Sequence, residues 1–319
     1  MFWTTQPFNA KEWNEIKFAE DITKERLGSF KVRKYTFERF GKYRAFAEGH
    51  TRLGDDWAML YLSVLSGCPV GCKMCGTVNK LTAPLSAQQM IEQIEAMLEG
   101  IGIADESRYR ELLIKWMYMG EPMLYPKEFI PAFRYILERY PNWNHVISTT
   151  GPRANYTELF DIAAQYGSRI EFTLSIHGLT EEERNEVIPF NRKMTLNEVI
   201  ELGHVWYELS GRKVSFSYNL LNSKDMHKEA QQIRELFSPD VFIPCIQFTH
   251  TIDESAAYLQ NRTHEELCDA ADETVDRFRT KLEQLGFVRT QGYYTNRDEL
   301  KRGCGSLVEY QKYIAKFKL

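Results

Sequence analysis

The sequence predicts an α/β fold built on a parallel sheet, and three observations carry that expectation. Apolar runs of strand length alternate with segments of helical periodicity along most of the chain. Counted from residues 57–65, the alternation gives six βα units, and repeated βα units imply parallel strands joined by right-handed crossovers. The short motifs rich in reactive side chains then fall where the predicted strands end, the edge at which parallel α/β folds bind ligands.

The elements follow in order. Residues 9–27 read as an amphipathic helix, with Trp13, Ile16, Phe18 and Ile22 among its apolar positions. Residues 30–37 and 43–47 read as two strands about a turn at Gly41. On this pair Lys31, Arg33, Lys34, Arg39, Lys42 and Arg44 interleave with Tyr35, Phe37, Phe40 and Tyr43. That pattern suits stacking on bases with phosphate contacts, and it equally suits a half-buried hairpin. Residues 57–65 form an apolar run that reads as the first buried parallel strand. Ser86 caps a helix reaching Glu99, with Met90, Ile91, Ile94 and Leu98 at helical spacing. Strands are expected at 112–119, 144–150, 169–175, 214–221 and 241–249, and helices at 128–139, 155–166, 195–209, 226–237 and 263–285. A closing strand over 287–294 and a short helix after Gly303-Cys304-Gly305 complete the reading. The expected division is an N-terminal helix and basic hairpin over 1–55, a βα core over 56–250, and a C-terminal helix, strand and Cys304 loop over 251–319.

Composition sets the bounds. With 319 residues, 43% of them hydrophobic, the chain can bury a sizeable core. No apolar run approaches the roughly 18 residues of a membrane span. Met1-Phe2-Trp3-Thr4 does not open a signal peptide. Six cysteines, three of them in one loop, suggest a reducing, cytoplasmic setting instead of a disulfide framework. A net charge of −4 carries no global nucleic-acid signature, but the charge is uneven. Residues 24–52 hold nine basic and three acidic side chains, a local patch able to bind phosphates or simply a solvated hairpin face; residues 253–276 hold eight acidic and one basic.

The most informative stretch is Cys68-Pro69-Val70-Gly71-Cys72-Lys73-Met74-Cys75, in the pattern C-x3-C-x2-C. Thiolates are soft ligands that suit iron–sulfur clusters and zinc. Three on one short loop can hold three corners of a 4Fe–4S cube, leaving the fourth iron open to bind a small molecule. Met74 would help keep such a cluster dry. A zinc site would ordinarily add a fourth Cys or His, and none lies between Gly76 and Leu98. Three unrelated core cysteines are the remaining reading. The loop resembles that of the radical S-adenosylmethionine (SAM) superfamily, and the resemblance implies a cluster whose open iron chelates SAM and whose reduced form splits it to a 5′-deoxyadenosyl radical.

The strand ends add candidates. Gly120-Glu121-Pro122 follows the second strand, Ser148-Thr149-Thr150-Gly151 the third and Ser175-Ile176-His177 the fourth, and Gln247 lies near the end of the sixth. Glu121 could accept the SAM ammonium or be a turn glutamate. Ser148 and Ser175 could bond its carboxylate or ribose, or serve as caps. His177 could be a ligand, a donor or a core histidine.

Together with these motifs, the segment from Glu182-Glu183-Arg184 to Ile188-Pro189-Phe190-Asn191-Arg192-Lys193 and the late Gly303-Cys304-Gly305-Ser306-Leu307 resemble the RlmN/Cfr family of radical SAM RNA methyl synthases. The likeness runs from about residue 48 to 309. It implies a partial (βα)6 radical SAM barrel with a small N-terminal helix/hairpin extension. It further implies a 4Fe–4S cluster on Cys68, Cys72 and Cys75, and SAM held by Gly120, Glu121, Ser148, Ser175, Ile176, His177 and Gln247. Cys304 stands where the family carries a methylated cysteine, whose carbon is passed to an electron-poor adenine carbon in RNA. Glu48 matches a family glutamate assigned as a proton acceptor. The electron donor would be of flavodoxin or ferredoxin type, and no membrane partner is implied.

The sequence departs from that family at three places. Tyr61 occupies the position, seven residues before Cys68, of a second catalytic cysteine that releases product by forming a disulfide with the carrier. Tyrosine cannot form it, so Cys245 or Cys268 substitutes, or release differs, or the reaction is another one; Tyr61 itself could relay a proton or electron, or fill space. Fewer residues precede the cluster loop than in the family, and Gln247 replaces a family asparagine with a one-residue shift. These departures keep open a smaller RNA, a nucleotide or another small-molecule substrate. They also leave open direct hydrogen abstraction without a methylcysteine, and a non-catalytic RNA-binding relative using the basic hairpin.

Overall fold

The computed structural model describes residues 14–17, 29–39, 45–75, 77, 81, 83–220, 225–248, 264–288 and 291–294. Its strands are β1 (Asn14–Lys17), β2 (Ser29–Arg39), β3 (Ala45–Leu53), β4 (Trp57–Tyr61), β5 (Leu65–Ser66), β6 (Ala83–Pro84), β7 (Glu111–Trp116), β8 (Asn144–Thr149), β9 (Ile170–Ser175), β10 (Val214–Asn219), β11 (Phe242–Phe248) and β12 (Gln291–Tyr294). Its helices are α1 (Ala87–Ile101), α2 (Pro126–Arg139), α3 (Thr157–Tyr166), α4 (Glu181–Val187), α5 (Leu196–Ser210), α6 (Met226–Leu236) and α7 (His264–Gln284).

Ten strands form one sheet in the order β1-β2-β3-β4-β7-β8-β9-β10-β11-β12, while β5 and β6 pair separately. From β4 to β12 every neighbour is parallel and each new strand adds beside the last. This is the expected succession of βα units, in a sheet that does not close. The strands expected at 30–37 and 43–47 are found as the antiparallel pair β2 and β3, the second running on to Leu53, while the expected turn at Gly41 lies outside the described residues; β3 also pairs antiparallel with β4, so the pair continues the main sheet.

Two expectations are corrected. Asn14–Lys17 is a strand paired antiparallel with Ser29–Val32, not part of a helix over 9–27. Its short apolar stretch cannot distinguish the two periods by itself, and pairing with β2 decides; the rest of that predicted helix lies outside the described residues. Among the described residues the expected closing strand over 287–294 is found at Gln291–Tyr294, and Phe287 and Val288 lie outside it. The short helix expected after Cys304 lies outside the described residues.

The helices pack one face of the sheet for reasons legible in the chain. Ser86, Thr180 and Thr195 each start a helix with a reciprocal capping box, their hydroxyls accepting from the backbone N–H three residues on. Leu60, Ile114, Trp116, Ile147, Phe172, Phe216 and Phe242 alternate on one side of their strands and join helical residues such as Ile94, Phe133 and Trp206 in one buried core. Phe172 stacks on Trp206 with ring centroids 4.2 Å apart, and Trp116 sets its edge against Phe133 at 5.4 Å. Each such side chain contributes about 1.5–3 kcal/mol by leaving water. Gly203 brings α5 close to the sheet, since a Cβ there would lie 2.5 Å from the Phe242 ring. Among the described residues no helix is long and apolar enough to cross a membrane.

Candidate active site

The cysteine loop leaves the carboxyl end of β4 and is stitched to the turn after β7. Tyr118 N–H donates to the Leu62 carbonyl at 3.0 Å, and the Val64 and Leu65 amides donate to the Met119 carbonyl at 2.8 and 3.2 Å. Gly120 makes this approach possible. Its φ of +101° belongs to glycine, and an added Cβ would lie 2.7 Å from the Leu65 nitrogen.

Cys68, Cys72 and Cys75 are half-buried, as is Met74. Val70, Ile188 and Phe190 form a small apolar cluster packed against Cys68 and Cys72. The loop is held from that side by the Lys73 amide, which donates to the Val187 carbonyl at 2.9 Å. Burial, then the neighbouring Cys75 and Glu121, push the Cys68 thiol up to about 12. Burial and the adjoining cysteines also push Cys72 well above the usual thiol range. Bare thiolates at Cys68 and Cys72 are therefore disfavoured, and a bound cation would offset that cost. Among the described residues no group of three His, Cys, Asp or Glu is arranged to hold a single metal ion. A cubane asks for something else, one thiolate at each of three irons.

Glu121 is buried and fully engaged. Its Oε1 accepts from the Met123 amide at 3.1 Å and the Thr149 hydroxyl at 2.7 Å; its Oε2 accepts from the Thr150 amide at 2.7 Å and hydroxyl at 2.9 Å. Burial raises its pKa while these donors oppose the rise. The expected ammonium acceptor is thus also a clasp that ties the β7 turn to the end of β8. A carboxylate has about four lone-pair sites, so binding an ammonium requires a donor to give way or be shared. Thr149 and Thr150, quoted in the sequence only as part of a motif, are the residues that hold it.

The other strand-end residues converge. Ser148 and Ser175 hydroxyls lie 3.5 Å apart. Ile176 and His177 amides both donate to the Ser217 carbonyl at 3.1 Å, and the Gln247 amide nitrogen donates to the Ser217 hydroxyl at 3.4 Å. Ser217 therefore joins the end of β9 to β11. His177 has the sole positive φ among described residues other than glycine, +54°. Its Nδ1 is buried without a partner. Burial and then Arg184 push its pKa down to about 4, keeping the ring neutral. Backbone held in the left-handed region at a ligand edge is strain of the kind that active sites retain.

Sequence reasoning missed α4 and, on it, Arg184. This arginine is fully buried, donating to the Thr150 and Met194 carbonyls at 2.7 Å. Burial lowers its pKa, against the pull of Glu181 and Cys72. The run Glu182-Glu183-Arg184 was visible, but nothing local marks its arginine as the buried one.

Tyr61 ends β4 at 9% exposure, its ring stacked on His50 with centroids 4.1 Å apart. Arg52 and Lys115 flank the same ring. Glu48 is fully buried on β3, in register with Thr36, and the Ser63 hydroxyl donates to its carbonyl. Burial, then the charge of Glu171, push the buried Cys245 thiol up to about 12. A thiol so disposed is a poor nucleophile. Cys304 lies outside the described residues, as does the side chain of Cys268.

Comparison with known proteins decides the family. The family model described as the radical SAM superfamily matches residues 62–230, more than half of the chain. The chain belongs to the radical SAM superfamily. Among curated relatives of this radical SAM protein is the probable dual-specificity RNA methyltransferase RlmN of Pseudothermotoga lettingae, 24% identical over 81% of this chain and 75% of that one. Proteins of the same description from Dictyoglomus turgidum and Bifidobacterium adolescentis are 29% and 30% identical over 55% and 51% of this chain. The match spans about half of the former's length and 43% of the latter's. A radical SAM methyltransferase from Sphaerobacter thermophilus shares the fold, with a TM-score of 0.66 at 19% identity over 92% of this chain and 80% of that one. Membership implies SAM and a 4Fe–4S cluster. The three half-buried thiols on one short loop, two of them, Cys68 and Cys72, packed by the apolar wall and pushed up by burial, fit that group.

Proposed function

We propose that this radical SAM enzyme methylates a nucleobase, with Cys304 as the carrier of the transferred carbon. Bound together, the cluster and SAM would supply a 5′-deoxyadenosyl radical. The chain's own residues do the rest. Cys68, Cys72 and Cys75 ligate, and the Val70, Ile188 and Phe190 wall limits water at Cys68 and Cys72. Gly120 and Glu121 offer the SAM ammonium a carboxylate and an open backbone beside the cysteine loop. Ser148, Ser175, Ile176, His177 and Gln247 line the adjoining strand ends toward its carboxylate and ribose. Cys304 Sγ bears the methyl group, and Glu48 is the base. RNA or a nucleotide is the substrate class, and a flavodoxin or ferredoxin the electron source.

The observation that carries this reading is the convergence of motifs from four strand ends beside one cysteine loop, tied by the Glu121 clasp and the Ser217 bridge. The test is anaerobic reconstitution with SAM and reductant, followed by mass analysis of the Cys304 peptide. Expected are 5′-deoxyadenosine and an added methyl on that peptide, with both lost in Cys72→Ala. No 5′-deoxyadenosine from reduced, iron-loaded protein would sink the reading.

One observation favours a second reading. Tyr61 stands where the family has its releasing cysteine, and the Cys245 thiol is buried and held protonated. Direct hydrogen abstraction from a small-molecule or nucleotide substrate needs neither thiol. Production of 5′-deoxyadenosine with Cys304 unmodified in every SAM-fed preparation would select it.

A further inference from the structure

The helix α4 and the loop behind it lie against the cysteine loop, and they bring two buried cations with them. The Lys73 amide donates to the Val187 carbonyl at 2.9 Å, and Ile188 and Phe190 pack with Val70 against Cys68 and Cys72. Arg184 stands one turn before Ile188, whose amide donates to the Arg184 carbonyl at 2.8 Å. Residues four apart share a helix face, so the arginine lies on the side of α4 that meets the cysteines. Its guanidinium is buried and tied to the Thr150 and Met194 carbonyls, both at 2.7 Å. The Thr150 it holds is the residue whose amide and hydroxyl clasp Glu121. Lys193 is buried as well, its Nζ donating to Asn185 Oδ1 and, at 3.1 Å, to the carbonyl of Phe190 in the apolar wall.

Burying a guanidinium and an ammonium is costly, and neutral donors would tie the same carbonyls for less. The charges they answer to are two. Glu181, at the start of α4, acts on both cations, and its Oε1 also accepts from the Leu196 amide. The Cys72 sulfur is the other, and it too acts on both. A cubane on three thiolates is an anion, and each electron it gains adds a negative charge with no proton to balance it. Away from water a nearby cation weighs on that charge several times more than in solvent, and net charge is one of the levers that set a cluster's potential.

We propose that Arg184, with Lys193 behind it, tunes the cluster: the two cations stabilise its reduced form and so raise its reduction potential. The inference rests on reading Cys68, Cys72 and Cys75 as the cluster ligands. The step these residues assist is the transfer of one electron from a donor of flavodoxin or ferredoxin type, the donor being oxidised and the cubane reduced, with no bond or proton moved. Arg184 is thus a positioning residue twice over, holding Thr150 against Glu121 by its hydrogen bond and easing reduction by its charge. The two roles separate on substitution, because a potential follows the charge while the tie follows the shape.

The test is an anaerobic reductive titration of the full-length, reconstituted protein without SAM, with the reduced cluster read by electron paramagnetic resonance and iron content measured for every variant. At the wild-type midpoint, Arg184→Met should lower the ratio of reduced to oxidised cluster roughly tenfold, a shift of about 59 mV for a one-electron couple. Lys193→Met should lower it by less, and Arg184→Lys should stay near the wild type. Glu181→Gln, which removes the opposing carboxylate, should move the midpoint the other way. If Arg184→Met does not fold, Lys193→Met and Glu181→Gln decide by their opposite signs. An iron-loaded Arg184→Met protein with the wild-type midpoint overturns the proposal, and so, in its absence, do unmoved midpoints in the other two. A wild-type protein that assembles no cluster, or one indifferent to Cys72→Ala, overturns the ligand reading and this inference with it, and iron content alone tells that failure from the first.

Discussion

The two faces of the parallel sheet do different work from the same strands. On β9, Phe172 and Leu174 point into the helical core and are fully buried, whereas Glu171, Thr173 and Ser175 point the other way. On β7 the division is Leu112, Ile114 and Trp116 against Glu111, Leu113 and Lys115. Strands buried alike on both sides read as continuous apolar runs. These alternate instead, and the alternation separates the side chains of the helical core from those of the face proposed to meet ligands. The lesson is that one period-2 pattern gives one face to the apolar core and leaves polar side chains to the other.

Substitutions on a single strand would break the comparison most sharply. Phe172→Ala, which empties the stack on Trp206, should cost about 3–5 kcal/mol in unfolding free energy. Ser175→Ala, three residues on and on the opposite face, should cost no more than about 1 kcal/mol while weakening SAM binding. Denaturant unfolding and SAM titration of both variants check the pair. Similar stability losses at both positions would erase the distinction.

Acid should act chiefly through two buried histidines. His145, on the helix side, accepts from the Trp116 indole N–H at 3.0 Å, and burial pushes its pKa from 6.5 down to about 3. Burial likewise lowers His177 to about 4. Below pH 6.5 the unfolded chain takes up protons that the folded one refuses. Stability is therefore full above that pH and falls toward pH 4, by up to about 1.4 kcal/mol per pH unit for each histidine. His145→Gln keeps an acceptor for Trp116 and cannot titrate, so its stability profile should be flatter over that window. An unchanged slope would remove His145 from the account.

A smaller effect is expected at the clasp. Glu121→Gln turns one acceptor into a donor facing hydroxyls and amides that already donate, and should cost about 1–3 kcal/mol as well as SAM affinity. The smallest belongs to neither face. Arg153 pairs with Glu198 at 2.6 Å on the outer surface with both side chains about half exposed, and Arg153→Gln should leave the denaturant unfolding midpoint nearly unchanged.

Much of this was legible in the chain because its causes are local. Capping residues, helical spacing and apolar alternation are read within a dozen residues, and they placed the six βα units and the motif-bearing strand ends. The rest depends on register and contacts over long separations. Nothing near Ile16 says that it will pair with Phe30. The Tyr61 cluster needs three strands in register, and Arg184 becomes a buried link only when α4 folds over the cysteine loop. Glu121 was singled out from its motif, but its four donors come from Met123 and from Thr149 and Thr150, in two segments well apart in sequence.

The seam at Gly120 has a consequence for how such a site changes over time. Loops ordinarily tolerate insertion and deletion because only their ends are fixed. Here the segments 62–65 and 118–120 are joined backbone to backbone, with no room for even a methyl group between Gly120 and Leu65. One added residue in either would slide the three cysteines past the turn that carries Glu121. Variation at this site is therefore confined to side chains, and new chemistry would arise by exchange of residues such as the one at position 61, with the length of the path between the sites left as it is.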